Sequence, residues 1–198
     1  MWLILPGPGR VRGGGSRVVG VLVFAVVVEA ALCVALALRL RAAGSLAVDA
    51  LTGCLLRRAV EGRVAGGVGA VVFVDVNGLK LVNDLFGHAE GDRLLARVGL
   101  VLRSSVRPGD LVCRWGGDEF VVCLRECSPR DAELVAGRLR SALEAAGVPA
   151  SCGVAVAEPG ERFPEVVARA DAAMYREKRR AVLDGAVRHP VGRVAAWR

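Results

Sequence analysis

Apolar positions alternate between two periods along this chain, and the alternation predicts its elements. Residues 50–64 carry helical spacing. Val68 to Val76 is a short β-branched run, the pattern of a strand buried on both faces. Helical spacing returns over residues 79–104, interrupted at Gly87-His88. Leu111–Trp115 and Phe120–Leu124 read as two strands joined across Gly116-Gly117, a two-residue hairpin signal. Ser128–Ala146 predicts a helix with Ser128 as N-cap, Pro129 in its first position and Gly147 as its stop. Val148–Ala157 reads as a strand and Phe163–Arg180 as a last helix. The order β-α-β-β-α-β predicts an α+β fold with a ferredoxin-like core and added helices. No internal repeat is present.

That topology makes the first and third strands antiparallel neighbours. The first ends at Asp75 and the third begins just after Gly117. Asp75, Asp118 and Glu119 therefore meet at one edge of the sheet, from positions about forty residues apart. Carboxylates converging at a strand end beside a glycine turn can hold a divalent metal, and Mg²⁺ takes one or two carboxylates plus phosphate oxygens and water. Gly116 and Gly117 have no Cβ, so a nucleotide can lie on the backbone there. Taken alone, the same run also reads as a surface hairpin with ordinary turn glycines and solvated acids.

Ahead of this body, Val18 to Leu38 is apolar for twenty-one residues apart from Glu29, with Arg17 before it and Arg39 and Arg41 after it. That length spans a bilayer core of roughly 30 Å. The segment predicts an uncleaved transmembrane helix, with a buried or dimerising amphipathic helix as the other reading. The expected organisation is a flexible basic lead (1–17), the transmembrane helix (18–38), a linker (39–48), a domain over 49–183 and a basic tail (184–198).

Composition and charge narrow the function classes. Hydrophobic residues make up 54% of the 198 and charged residues 24%, enough apolar content for a packed core. The net charge of +7 sits at the ends. Residues 1–43 hold five Arg against Glu29, and residues 176–198 hold seven Lys or Arg against Glu177 and Asp184. The body between is slightly acidic, which argues against a nucleic-acid partner and for an anionic membrane surface. Six Cys without a Cys-x-x-Cys pair, and only two His, argue against zinc and for buried reduced thiols.

Ordered motifs carry a resemblance. Arg114-Trp115-Gly116-Gly117-Asp118-Glu119-Phe120 resembles the namesake motif of the GGDEF family of diguanylate cyclases. Asp49-Ala50-Leu51-Thr52-Gly53 resembles that family's opening motif. Asp75-Val76-Asn77-Gly78-Leu79-Lys80, Asn83-Asp84, Gly87-His88 and Gly91-Asp92 resemble its metal and guanine segment. Ser151-x-Gly153-x-Ala155 resembles its fourth strand, and Ala170-Asp171-x-x-Met174-Tyr175-x-x-Lys178 its closing helix. The similarity covers roughly 130 residues.

The resemblance implies a Mg²⁺- or Mn²⁺-dependent enzyme that joins two GTP into cyclic di-GMP across a homodimer. It implies Asp75, the Val76 carbonyl, Asp118 and Glu119 as metal ligands, with Asp118, Glu119 and Lys80 catalytic. Which acid is the general base stays open. It implies Asn83, His88, Asp92, Gly116, Gly117 and Lys178 around the substrate, with Asn83 and Asp92 reading the guanine edge and Lys80 and Lys178 neutralising phosphate. Such a protein would sit in the cell's inner membrane, single-pass, with its catalytic domain cytoplasmic where GTP is found. Arg107-Pro108-Gly109-Asp110 resembles the family's inhibitory product site, and it also reads as an ordinary turn capped by Asp110. Two departures stand out. Leu56 occupies the place of an Asn, and Ala181-Val182-Leu183 replaces a closing Gly-Arg-Asn. The alternative reading is a degenerate GGDEF domain that binds GTP or cyclic di-GMP without turnover.

Overall fold

The computed structural model describes residues 23–36, 48–64 and 67–183, with the side chains of 181 and 182 left aside. The expected lead, the linker up to residue 47 and the basic tail lie outside the described residues. The chain divides into two compact units, 1–43 and 44–198. In the first, residues 23–36 are helical (α1). The remaining positions of the apolar segment, 18–22 and 37–38, lie outside the described residues. Among those described, no helix is long and apolar enough to cross a membrane.

The second unit runs β1 (Leu55–Leu56), α2 (Arg57–Arg63), β2 (Ala70–Val76), α3 (Leu79–Phe86), α4 (His88–Ser104), β3 (Leu111–Arg114), β4 (Glu119–Leu124), α5 (Pro129–Ala145), β5 (Ala150–Val156) and α6 (Phe163–Leu183). The five strands lie in the order β1-β3-β4-β2-β5. β2 is antiparallel to both β4 and β5, β3 is antiparallel to β4, and β1 joins the outer edge of β3 in parallel.

β2 is a continuous apolar run because both faces of the sheet are covered. Side chains alternate across a strand. Val72, Val74 and Val76 enter one core with Leu94, Val98, Leu102, Ala136, Leu139 and Leu143 from α4 and α5. Val71 and Phe73 enter the other with Val60, Val166, Val167, Ala170 and Met174 from α2 and α6. The result is three layers. Cys54, Cys113, Cys123 and Cys152 are buried free thiols within them. Burial pushes the Cys113 and Cys152 thiols up to about 12, so they stay protonated and inert.

Local signals act as the pattern predicts at α5, where the Ser128 side chain accepts from the Asp131 N–H and Pro129 opens the helix. Gly87, at φ 84°, separates α3 from α4. The expected helix over 50–64 is corrected. Asp49 Oδ1 accepts from Thr52 N and Oγ1 at 2.9 and 2.7 Å, and Gly53 turns left-handed at φ 67°. This local side-chain bonding outcompetes helix. Leu55 and Leu56 then find a free sheet edge, and only Arg57–Arg63 is helical. Leu56 becomes the N-cap of α2 and has no side chain with which to cap it.

Candidate active site

β2 and β4 are in the register that places Asp75 opposite Glu119. Residues directly opposite on one sheet face have Cβ atoms roughly 5 Å apart, so the two carboxylates share the face that α6 covers. The hairpin differs from the two-residue expectation. β3 stops at Arg114 and β4 starts at Glu119, leaving a loop of Trp115 to Asp118. Both Trp115 N–H and Gly116 N–H donate to the Glu119 carbonyl, at 2.8 and 3.2 Å. The Asp118 carbonyl accepts from Val76 N–H at 3.0 Å, tying the loop to the end of β2.

The two loop glycines serve different ends. A Cβ on Gly116 would stand 2.6 Å from Glu119 Oε2, so this position must be bare for the carboxylate to lie over it. A Cβ on Gly117 would meet nothing within 4 Å, and the backbone there opens to solvent. α6 delivers Lys178, whose Nζ lies 2.6 Å from Asp75 Oδ1. Burial, followed by the charges of Asp118, Asp171 and Asp75, raises the Glu119 carboxyl above its ordinary value, and Lys178 offsets only part of this. The site thus holds more negative charge than its own lysine neutralises.

Two supports escaped the sequence reading. Arg114 donates through Nη2 and Nε to the Gly117 carbonyl, at 2.9 and 3.3 Å, and through Nη1 to both Asp49 oxygens, at 3.1 and 3.2 Å. Burial pushes the Asp49 carboxyl up, but its Thr52 bonds and the Arg114 guanidinium outweigh this and hold it below its ordinary value. The opening turn therefore braces the glycine loop. Trp115 is wedged between the Arg57 guanidinium, 4.1 Å from its ring centre, and Phe163, edge-on at 6.0 Å. Asp49, Arg114 and Trp115 belong to recognised motifs, but pairings across 65 positions, for Asp49 and Arg114, and about 50 to 60, for Trp115, leave no signal in the sequence.

The other expected residues fall into two further groups. On α3 and α4, Asn83 lies against Gly91, where a Cβ would stand 1.9 Å from Asn83 Oδ1, and Asp92 follows, exposed. Lys80 and His88 are also exposed. Nearby, Asn77 Nδ2 donates to Ser151 Oγ at 3.0 Å, joining the ends of β2 and β5. Arg107 and Asp110 lie at the far end of β3 from the glycine loop. The Asp110 side chain is 2% exposed and pairs with Arg107 Nε at 3.4 Å. It also accepts from Arg125 N–H at 3.4 Å, and Arg107 Nη2 donates to the Glu126 carbonyl. Arg107 remains exposed and lines an open cleft of about 390 Å³ with Arg63 and Arg103.

Among the described residues, no three His, Cys, Asp or Glu side chains gather closely enough to hold an ion unaided. The donor set nonetheless fits Mg²⁺ or Mn²⁺. It offers hard oxygens from Asp75, Asp118 and Glu119, excess negative charge, and an open glycine loop where substrate phosphates could complete the shell.

Fold and site define a class of α+β domain with an acidic strand-end centre beside an exposed glycine loop. The family model described as "Diguanylate cyclase, GGDEF domain" matches residues 48–182, and the chain belongs to that family. Diguanylate cyclase DgcM of Escherichia coli K12 is 39% identical over 116 residues, covering 55% of this chain and 28% of its own length. Among solved structures, diguanylate cyclase SiaD of Pseudomonas aeruginosa, in complex with its activator SiaC, superposes with TM-score 0.63 at 30% identity. That match covers 83% of this chain and 70% of SiaD. The GGDEF domain of DgcB from Caulobacter crescentus, in complex with c-di-GMP, gives 0.60 at 27% identity, covering 67% of this chain and 87% of that domain. The match spans 28% of the length of DgcM and 22% of that of diguanylate cyclase DgcP of Pseudomonas aeruginosa.

Proposed function

We propose that this chain is a diguanylate cyclase, condensing two GTP into cyclic di-GMP with release of two pyrophosphates. The observation that carries the reading is the register of Asp75 against Glu119 beside Asp118 and an open Gly116-Gly117 loop. Asp75, the Val76 carbonyl, Asp118 and Glu119 would hold Mg²⁺ or Mn²⁺, which supplies charge neutralisation to the triphosphate when bound. At the guanine edge Asn83 accepts and donates, and the Asp92 carboxylate accepts from guanine N–H groups. Gly117 gives the nucleotide room against the backbone. Lys80 and Lys178 offset phosphate charge, and His88 lies at the start of α4 beside the base readers.

One domain holds one GTP, so the reaction needs two copies face to face. The 3′-oxygen of each GTP attacks the α-phosphorus of the other and the bond to the pyrophosphate oxygen breaks. The 3′-hydroxyl proton passes to a nearby carboxylate. Asp118 and Glu119, beside the open glycine loop, are the carboxylates at hand to take it. Positioning and charge neutralisation do most of the work in such a transfer.

The apolar stretch 18–38 between Arg17 and Arg39 supports a membrane anchor that would keep the domain on the cytoplasmic side and confine copies near one another.

Incubation with GTP and Mg²⁺, followed by chromatography, tests the reading. Wild type should yield cyclic di-GMP, and Asp118→Asn should lose turnover while keeping its fold, because loss of a metal ligand costs several kcal/mol of transition-state stabilisation, about a thousandfold in rate. Near-normal product from that variant overturns the site. GTP binding without product from wild type leaves the non-catalytic reading.

A further inference from the structure

Lys178 is the cation facing the acidic centre, and its partner is specific. Its Nζ lies 2.6 Å from Asp75 Oδ1, with the Asp75 side chain only 13% exposed. The pairing is built into the packing of α6. A Cβ on Gly153 of β5 would stand 2.0 Å from Met174 N and 2.2 Å from Ala170 O, so the α6 backbone rests directly on that glycine. Met174 and Ala170 are buried at this contact, which fixes the register of α6 and places Lys178, four residues beyond Met174, over the end of β2. An ammonium 2.6 Å from Asp75 Oδ1 already neutralises this carboxylate and would repel a divalent cation placed on it.

We propose that Lys178 is a built-in counter-ion that competes with the divalent cation for Asp75, so that metal and nucleotide bind as a coupled pair. This rests on the reading of Asp75 as a metal ligand. Without nucleotide, Lys178 neutralises Asp75 and the centre binds a divalent cation weakly. The triphosphate offers Lys178 a second anionic partner. Once Lys178 turns to it, Asp75 is free for the metal. Linkage makes the effect reciprocal: whatever frees Asp75 also frees Lys178 for phosphate. The excess of carboxylates around Glu119 remains as the attraction that draws the cation in at that moment.

The test measures direct binding on the full chain. Free Mn²⁺ is followed by electron paramagnetic resonance in the absence of nucleotide, and a fluorescent GTP analogue is titrated separately in EDTA. Lys178→Met should bind Mn²⁺ about fivefold tighter than wild type, the scale of a partly exposed ion pair. Lys178→Arg keeps the charge and should bind Mn²⁺ as wild type does. Arg179→Met removes a neighbouring exposed charge and should also leave Mn²⁺ affinity unchanged. In EDTA, Asp75→Asn should bind the GTP analogue tighter than wild type, because Lys178 no longer has a competing carboxylate. Equal or weaker Mn²⁺ binding by Lys178→Met, or the same gain from Arg179→Met, overturns the competition. Undiminished Mn²⁺ binding by Asp75→Asn overturns the ligand assignment beneath it.

Discussion

Asp49→Asn tests whether the opening turn braces the glycine loop. Asp49 and Arg114 pair with side chains 18% and 19% exposed, and Arg114 carries the contact on to the Gly117 carbonyl. A solvent-exposed pair contributes about 0.2–1 kcal/mol, whereas breaking a buried one costs about 3–5 kcal/mol. At this exposure the loss should fall between, at about 2 kcal/mol at neutral pH, which lowers a urea midpoint by roughly 1 M. The pH dependence follows from the direction of the shift. The Asp49 carboxyl is held below its ordinary value in the folded chain. Its stabilisation is therefore complete above the unfolded value of about 3.9 and is lost as pH falls through the lower folded value. Urea melts at pH 7 and across pH 5 to 2 should show the two proteins separated at neutrality and converging at the acid end. Arg114→Met should give a similar loss, and the double variant should be less destabilised than the sum, by about 1 kcal/mol. Initial rates should fall in all three, since Gly117 loses its brace. Additive losses, or a gap that does not narrow as pH falls below the unfolded value, refute the pairing.

Other perturbations separate the remaining roles. Asp92→Ala should weaken GTP use and blur its preference over ATP, since an unpaired guanine N–H costs roughly 1–3 kcal/mol; competition binding with both nucleotides checks this, and unchanged affinity and preference rule Asp92 out as a base reader. Arg107→Ala should keep the initial rate but let product accumulate further, because Arg107 is exposed on a cleft at the other end of β3 from the carboxylates. Progress curves with added cyclic di-GMP decide it, and equal inhibition of both proteins leaves that segment as a turn. Leu56→Asn should stabilise the domain by about 0.5–1 kcal/mol, because Leu56 is the uncapped N-cap of α2 and Asn supplies the missing acceptor. An unchanged or lower melting temperature contradicts that reading.

The sequence by itself determined the elements whose signals are local. The β-branched run of β2, the Ser128-Pro129 start of α5, the Gly87 break and the order of elements from β2 onward were all legible, because period and capping act over a few residues. So were the acids of the strand ends and the motifs that mark the family. Tertiary structure alone decided the rest. Residues 50–56 have helical spacing, yet Asp49 bonds Thr52 and Leu55-Leu56 pair with β3, because a free sheet edge outweighs a weak local preference. The ion pairs Asp49 to Arg114 and Asp75 to Lys178 join residues 65 and 103 positions apart. Gly153 reads as a strand glycine until α6 is seen resting on it. Each of these depends on which elements pack together, and only the assembled layers bring those groups within reach of one another.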